Sequence, residues 1–166
     1  ILYAFVGIGF TEEILKYLVV KKTVLFHHEF DEPVDAMIYM IVSALGFAAL
    51  ENLLILLPMY ADFQFFDIAL ISVFRFVGAT FLHALASGLI GYYLALSLCH
   101  AKNKLKLMMK GIVIATLLHG LYDFSIMKVE GAYNFILPII IIMGLIIFVT
   151  IGFRKVRALK SVCKLK

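Results

Sequence analysis

Apolar stretches, each about as long as a bilayer is thick, follow one another through nearly the whole 166-residue sequence. A helix needs about 20 apolar residues to cross a hydrocarbon core of about 30 Å. Five stretches meet that length, at about residues 2–25, 34–57, 74–99, 107–127 and 133–153. With 64% hydrophobic and 16% charged residues, the chain lies outside the composition of water-soluble domains, which average about 25% charged residues. The sequence therefore predicts an all-α, polytopic transmembrane bundle.

The bundle is predicted to form one membrane-embedded domain over residues 1–153, followed by a basic tail over residues 154–166. Between the second and third spans, residues 59–73 are too few to cross and predict a short interfacial or re-entrant helix. The sequence is apolar from its first residue, so residues 1–7 are expected to belong to a span rather than to a cleaved signal peptide. The number of helices that precede them stays open.

The basic residues form three clusters that fall on one side of the membrane if every span crosses once. The clusters are Lys21 and Lys22; Lys102, Lys104, Lys106 and Lys110; and Arg154, Lys155, Arg157, Lys160, Lys164 and Lys166. The positive-inside rule makes that side, and the tail with it, cytoplasmic. Because these charges adjoin spans, they indicate the orientation of an integral multi-pass protein in a lipid bilayer and not a nucleic-acid partner.

Ionisable side chains inside the predicted spans are the most informative residues. Each costs at least about 2.5–3.5 kcal/mol near the bilayer centre, so it generally faces a bundle interior or a wet cavity. They and their polar neighbours are Glu12, Glu13, Lys16, Glu51, Asn52, Arg75, His83, Ser87, His119 and Asp123. Taken singly, a buried Glu or His is also compatible with an interhelical hydrogen bond.

The depths of four of these residues agree. At about 1.5 Å of rise per residue, they lie about 9–15 Å from the non-cytoplasmic ends of their spans. The four residues are Glu12, Glu51, His83 and His119. Four spans thus bring an acid or an imidazole to one layer, which predicts a single site in the outer half of the bilayer. Arg75, near the outer end of its span, is expected to snorkel to the interface instead.

Residues four apart share one helix face, which pairs several of these side chains. Lys16 is placed to keep Glu12 ionised, and Asp123 is placed to accept a ring proton from His119 and so orient it. Glu13 points about 100° away from Glu12 around the helix. One of the two glutamates is therefore expected to face the cavity and the other to bond a neighbouring helix.

Two chemistries fit carboxylates that meet imidazoles. In the first, a glutamate acts as general base on a water held by the histidines, and a histidine or Asn52 stabilises the oxyanion. In the second, His83, His119 and a carboxylate, with Glu51 as first choice, bind a divalent metal such as zinc. No HExxH segment is present, and Ser87 is placed to orient His83 rather than to attack.

Four segments of the sequence resemble the motifs of the PrsW family of intramembrane proteases. FTEEILKY (residues 10–17) looks like the family's EExxK motif, and GFAALEN (residues 46–52) resembles its FxxxEN motif. FLHALASG (residues 81–88) is similar to its HxxxS segment, and LLHGLYDF (residues 117–124) to its HGxxD segment. EExxK alone occurs by chance, so the resemblance depends on all four motifs standing in family order on successive spans.

The resemblance implies a polytopic membrane protease related to the CAAX prenyl protease and bacteriocin-processing group. It implies a single-span, membrane-anchored substrate, such as an anti-sigma factor, cut near the extracytoplasmic side of a prokaryotic cell membrane. By their motif positions, the implied catalytic residues are Glu12, Glu13, Glu51, His83, His119 and Asp123. In its second motif the wider group has a histidine where this chain has Glu51. This difference leaves both a metal-dependent and a glutamate-dependent mechanism open.

Within this interpretation we expect Glu12 to be the base, His119 to hold water or metal, and Glu51 and His83 to complete the site. Two other functions fit the same pattern. One is a CAAX-type or bacteriocin-processing protease that acts on prenylated or small secreted peptides. The other is a proton-coupled transporter, because intramembrane chains of acids and histidines also relay protons. The absence of a visible internal repeat in the sequence counts against the transporter.

Overall fold

The computed structural model describes residues 3–59 and 64–159, and all regular structure within these ranges is helical. Helix α1 begins with π-helical turns, Tyr3–Phe10, and continues as an α-helix, Thr11–Thr23. The other helices are α2 (Pro33–Met59), α3 (Phe65–Cys99), α4 (Lys104–Lys128) and α5 (Tyr133–Ala158). A 3₁₀ turn, Ala101–Asn103, joins α3 to α4. The predicted all-α bundle is confirmed.

Helices α2 to α5 are long and apolar enough to cross a membrane. Helix α1 covers the first predicted span but differs from the other four in composition, because it carries five charged residues between Glu12 and Lys22. Glu13, Lys16 and Val20 lie three and seven residues apart and are all buried. Helix α1 therefore turns a partly charged face into the bundle.

The predicted short helix over residues 59–73 is not separate from the third span. Helix α3 begins at Phe65, passes through π-helical turns at Phe76–Thr80 and continues as one helix. The predicted start of this span at Phe74 is therefore wrong, because the apolar residues before it continue the same helix. Residues 60–63, which belong to the same predicted segment, lie outside the described residues.

Helix α3 packs against α2, α4 and α5. The two helices α2 and α3 come close at Gly91, where a Cβ atom would lie 2.6 Å from the Cα atom of Met37 and 2.7 Å from the carbonyl oxygen of Ala36. Small residues permit such backbone contacts in membranes, where helices associate through packing rather than through the hydrophobic effect. This crossing fixes how far α2 stands from α3, and hence the spacing of the polar residues on both helices.

Two of the three basic clusters lie together. Lys21 at the end of α1 and Lys104 at the start of α4 line one surface cavity, as expected for clusters on the same side of a membrane. The outward faces of the long helices are apolar: Leu54 is 64% exposed and Ile139 is 60% exposed. Such faces suit contact with lipid tails.

Candidate active site

A polar cavity of about 200 Å³ lies where α1 to α4 meet. Its ionisable acid, base and imidazole side chains are Glu12 on α1, Glu51 on α2, Arg75 and His83 on α3, and His119 and Asp123 on α4. Apolar side chains such as Ile8 and Leu82 complete the wall. The prediction that acids and imidazoles from four spans converge is confirmed.

The neighbouring glutamates Glu12 and Glu13 face different surroundings, as the angle between them predicts. Glu12 lines the cavity, and its Oε2 is buried without a hydrogen-bond partner. Glu13 is fully buried: its Oε1 lies 2.7 Å from Lys16 Nζ and 2.9 Å from His119 Nδ1. Its Oε2 accepts a hydrogen bond of 2.8 Å from Ser87. Glu13 therefore ties α1 to α3 and α4, and Glu12 stays available.

His83 has both ring nitrogens engaged. Lys16 Nζ lies 2.7 Å from Nδ1, and Glu51 Oε2 lies 2.8 Å from Nε2. Because an ammonium group only donates, Nδ1 accepts and Nε2–H donates to the Glu51 carboxylate, which fixes one tautomer. The expectation that Ser87 orients His83 is wrong, because the hydroxyl bonds the Glu13 carboxylate, a charged and therefore stronger acceptor.

His119 is oriented by Glu13. The 2.9 Å contact between Glu13 Oε1 and Nδ1 is a carboxylate–histidine pair, which fixes the orientation of the ring. Asp123 Oδ2 lies 3.5 Å from Nε2 and has no hydrogen-bond partner. The one-turn spacing brings Asp123 beside the ring, as predicted, but at the nitrogen that faces the cavity, and the shorter contact that orients His119 comes from Glu13.

Arg75 and Asn52 form a second polar network in the cavity wall. Arg75 Nε donates a hydrogen bond of 2.7 Å to Asn52 Oδ1, and Asn52 Nδ2 donates one of 3.1 Å to Thr80. Asn52 thus has both its amide oxygen and one amide N–H engaged in the cavity wall. Arg75 Nη2 lies 3.4 Å from Glu51 Oε1 and lacks a hydrogen-bond partner. The predicted interfacial position of Arg75 is wrong, since the side chain lines the site.

Three buried polar atoms of the cavity lining have no hydrogen-bond partner among the described residues: Glu12 Oε2, Asp123 Oδ2 and Arg75 Nη2. A buried polar atom left unpaired costs about 1–3 kcal/mol, and more when it is charged. Two acceptors and one donor around one small space are suited to a polar guest, such as a water, a cation or a polarised carbonyl group.

The same cavity contains side chains that a divalent metal fits. Ligand atoms of Glu12, His83 and His119 all lie within 4.8 Å of one another. Glu12 Oε2 is 3.6 Å from His83 Nδ1 and 3.7 Å from His119 Nε2. Around tetrahedral zinc, ligands at about 2.0–2.1 Å from the metal are themselves about 3.4 Å apart. This set differs from the predicted one, because Glu51 contacts His83 through its other ring nitrogen.

The formal charges around the cavity also suit a divalent cation. The groups concerned are the carboxylates of Glu12, Glu13, Glu51 and Asp123 and the cations Lys16 and Arg75. With neutral histidines, these four acids and two bases leave two uncompensated negative charges. A metal at His83 Nδ1 would take the place of the Lys16 contact there, and the ammonium would keep its 2.7 Å contact with Glu13.

The sequence is similar to known proteins along most of its length. The pattern of a family described as "PrsW family intramembrane metalloprotease" matches residues 1–151. "Protease PrsW" of Bacillus subtilis is 32% identical over 160 residues, which cover 96% of this chain and 67% of that protein. Proteins of the same name from Oceanobacillus iheyensis and Geobacillus kaustophilus are each 32% identical, over 86% and 76% of this chain and 63% and 53% of their own lengths. The chain thus spans about half to two thirds of these relatives, and no solved structure matches it.

Proposed function

The chain belongs to the PrsW family of intramembrane metalloproteases, and from this premise we propose that it hydrolyses a peptide bond of a membrane-anchored substrate in the polar cavity. The observation that carries the proposal is the Glu12 carboxylate. Its Oε2 is buried without a hydrogen-bond partner, and Lys16 Nζ, at 3.6 Å, and a ring nitrogen of each histidine lie within 3.7 Å. A carboxylate in that position is placed to activate water.

In the metal-free mechanism Glu12 is the general base. It takes a proton from a water molecule, whose oxygen attacks the scissile carbonyl carbon. The tetrahedral oxyanion then collapses, the C–N bond breaks, and the proton passes to the leaving amine, with His119 beside Glu12 to assist. Arg75 Nη2, the unpartnered donor in the wall, stabilises the oxyanion, because a fixed cationic donor is most effective in a cavity with little water.

Three further residues position the reacting groups. Glu13 holds Nδ1 of His119, so that Nε2 faces the cavity. Lys16 and Glu51 hold the two nitrogens of His83 from opposite sides. Partners of this kind fix the orientation of a ring and its tautomer.

We place a divalent metal such as zinc on Glu12, His83 and His119, a ligand set of one carboxylate oxygen and two imidazole nitrogens that suits zinc. When bound, it supplies Lewis-acid chemistry to the scissile carbonyl and to water. Glu12 then serves as a ligand, and Asp123 is the free carboxylate that takes the proton from water. The two mechanisms thus differ in which carboxylate is free.

The substrate we propose is a single-span protein, such as an anti-sigma factor, cut near the extracytoplasmic side. Lys21 and Lys104 lie together at one end of α1 and α4, whereas Glu12 lies at the middle of α1 and His119 beyond the middle of α4. With the basic end and the tail cytoplasmic, the cavity falls in the outer half of the bilayer. The bacterial relatives fit a prokaryotic cell membrane. Family membership favours neither a prenylated substrate nor proton-coupled transport.

The test is cleavage of a panel of single-span proteins with tagged ectodomains, reconstituted with the chain in liposomes. Glu12→Gln, a near-isosteric loss of charge, is expected to slow cleavage by about 10²-fold or more without altering thermal unfolding of the metal-free protein in detergent. Glu29→Gln removes the same charge from an exposed side chain and is expected to cleave at the wild-type rate. Wild-type cleavage by Glu12→Gln would refute its role. No cleavage by the folded wild type across the panel would refute the protease function.

A further inference from the structure

An apolar groove adjoins the polar cavity. It has a volume of about 430 Å³ and lies between the π-helical turns of α3, the end of α4 and the beginning of α5. Apolar and aromatic residues on its wall include Phe74, Val77, Tyr122, Phe135, Ile139 and Ile142. Among the described lining residues, only Tyr122 and Asn134 carry polar side-chain atoms. The catalytic mechanism proposed above uses no part of this groove except its boundary with the cavity.

Tyr122 and Ile126 form that boundary, since both line the groove and the cavity. The Tyr122 side chain is only 4% exposed, and its hydroxyl lies against Gly78 of α3. A Cβ atom at Gly78 would collide with that hydroxyl. The absence of a side chain at Gly78 thus lets the Tyr122 ring stand between the two spaces.

A membrane-anchored substrate raises a physical problem that the groove can solve. A peptide bond inside a helix has its carbonyl and N–H groups hydrogen-bonded, so the segment must unwind before water can attack. In lipid, each backbone group left unpaired costs several kcal/mol, so unwinding is feasible only beside polar protein groups. The side chains of the same segment are apolar and need an apolar surface. The cavity offers the first environment and the groove offers the second.

We propose that the groove binds the apolar side chains that flank the scissile bond of the membrane-anchored substrate, with Tyr122 as the wall that separates them from the catalytic groups. This inference rests on the proposed function. An extended chain advances about 3.3 Å per residue. With the scissile bond in the cavity, the first or second residue beyond that bond would therefore lie on the groove side of the Tyr122 ring. Because the groove and the catalytic cavity share a wall, the groove is suited to the peptide that is cut in the cavity rather than to a lipid chain. The side-chain amide of Asn134 can also form hydrogen bonds with the backbone of an unwound substrate segment.

The first test fills the groove without touching the polar cavity. Ile139→Trp enlarges a groove residue that is 60% exposed, and the matched control Ile147→Trp enlarges a residue of the same helix that is 58% exposed and lies outside the groove. For a protein of the panel that wild type cleaves, Ile139→Trp is expected to lower kcat/KM about 10-fold or more, mainly through KM. The loss should be smaller when the residues flanking the cut are changed to alanine. Ile147→Trp should stay within two-fold of wild type, and equal kinetics for both variants would overturn the proposal.

The second test detects binding without requiring cleavage. The photoreactive residue p-benzoylphenylalanine is placed at position 139 or 147, and the liposomes containing the tagged panel are irradiated. Cross-linking of a panel protein from position 139 but not from position 147 supports the groove. Cross-linking to lipid alone from position 139 overturns it. A substrate cross-link in the absence of any cleavage supports the groove and refutes the proteolytic function, so the two failures are distinguishable.

Discussion

Glu12 and Glu13 are adjacent in the sequence, yet only Glu12 keeps a carboxylate oxygen free. Both oxygens of Glu13 are engaged, by Lys16 and His119 on one side and by Ser87 on the other. A fully buried ion pair is tolerated only when its remaining hydrogen-bonding positions are also filled, as they are here. Glu13 is thus committed to holding three helices together, which leaves Glu12 as the carboxylate proposed to react.

Arg75 carries the clearest prediction for a single side chain. Arg75→Gln is expected to lower kcat by about 10²–10³-fold with little change in KM, because an oxyanion donor acts in the transition state and not on the bound substrate. The measurement is steady-state kinetics on a cleaved panel protein. Arg157→Gln, which removes the same charge from an exposed position beyond the cavity, should leave both constants unchanged.

Chemical rescue distinguishes the proposed oxyanion role of Arg75 from a merely structural one. Guanidinium added to Arg75→Ala should restore part of kcat, because it can occupy the vacated space beside Asn52 and Glu51. A rise in KM of Arg75→Gln at constant kcat would instead assign Arg75 to substrate binding and contradict the oxyanion role.

The sequence predicted which polar residues meet but not which atoms they share. Hydropathy and charge placement identified Glu12, Glu51, His83 and His119 as one layer, because the energetic penalty of a charge in lipid leaves few alternatives. The partners within the layer were predicted from one-turn spacing along single helices. In the structure the short contacts of His83 and His119 come from other helices. Those contacts depend on how each helix is rotated about its own axis relative to its neighbours, and the spacing of residues along one helix does not specify that rotation.

At the scale of elements, the π-helical turns of α3 explain the position of Arg75. Arg75 precedes His83 by eight residues, which at about 100° per residue would set the two about 80° apart around a regular helix. A π-helical turn accommodates one additional residue, so the separation acts as that of seven residues, about 20°. Both side chains then face the cavity. Because a π-helical turn leaves no clear signature in the apolar pattern, the interfacial prediction for Arg75 could not be corrected from the sequence.

The crossing of α2 and α3 at Gly91 gives a prediction for stability. Gly91→Ala is expected to lower the melting temperature in detergent, because the new methyl group would lie 2.6 Å from the Cα atom of Met37 and push two backbones apart. The control is Gly144→Ala on α5, where no atom lies within 4 Å of the added Cβ and no loss is expected. The displacement should also separate Glu51 from His83 and slow cleavage. Equal melting temperatures for the two variants would contradict this account of the packing.

For the whole molecule, the number and order of the helices were predictable, but not where α3 begins or which surfaces the helices form together. The long apolar stretches define α2 to α5 because a helix satisfies all the backbone hydrogen bonds of a segment in lipid within that segment. The extension of α3 back to Phe65 was missed, since an aromatic-rich segment after a polar break has the composition of an interfacial piece. The groove beside the cavity was missed as well, because it is formed by three helices that all present ordinary apolar residues to it.

The proposed metal site is a property of the whole bundle, because its ligands stand on α1, α3 and α4. A ligand that binds only the folded state at 100 times its Kd stabilises that state by about 2.7 kcal/mol, so zinc should raise the melting temperature and a chelator should reverse the rise. The measurements are thermal unfolding and the metal content after desalting, with about one equivalent expected for wild type.

Glu12→Gln and His119→Ala should lose the metal, whereas Glu51→Gln should retain it at saturating zinc, because Glu51 touches only the far nitrogen of His83. Loss in Glu51→Gln with retention in Glu12→Gln would restore the ligand set expected from the sequence. If wild type binds no zinc and shows no change in melting temperature, Glu12 acts as the base without a metal.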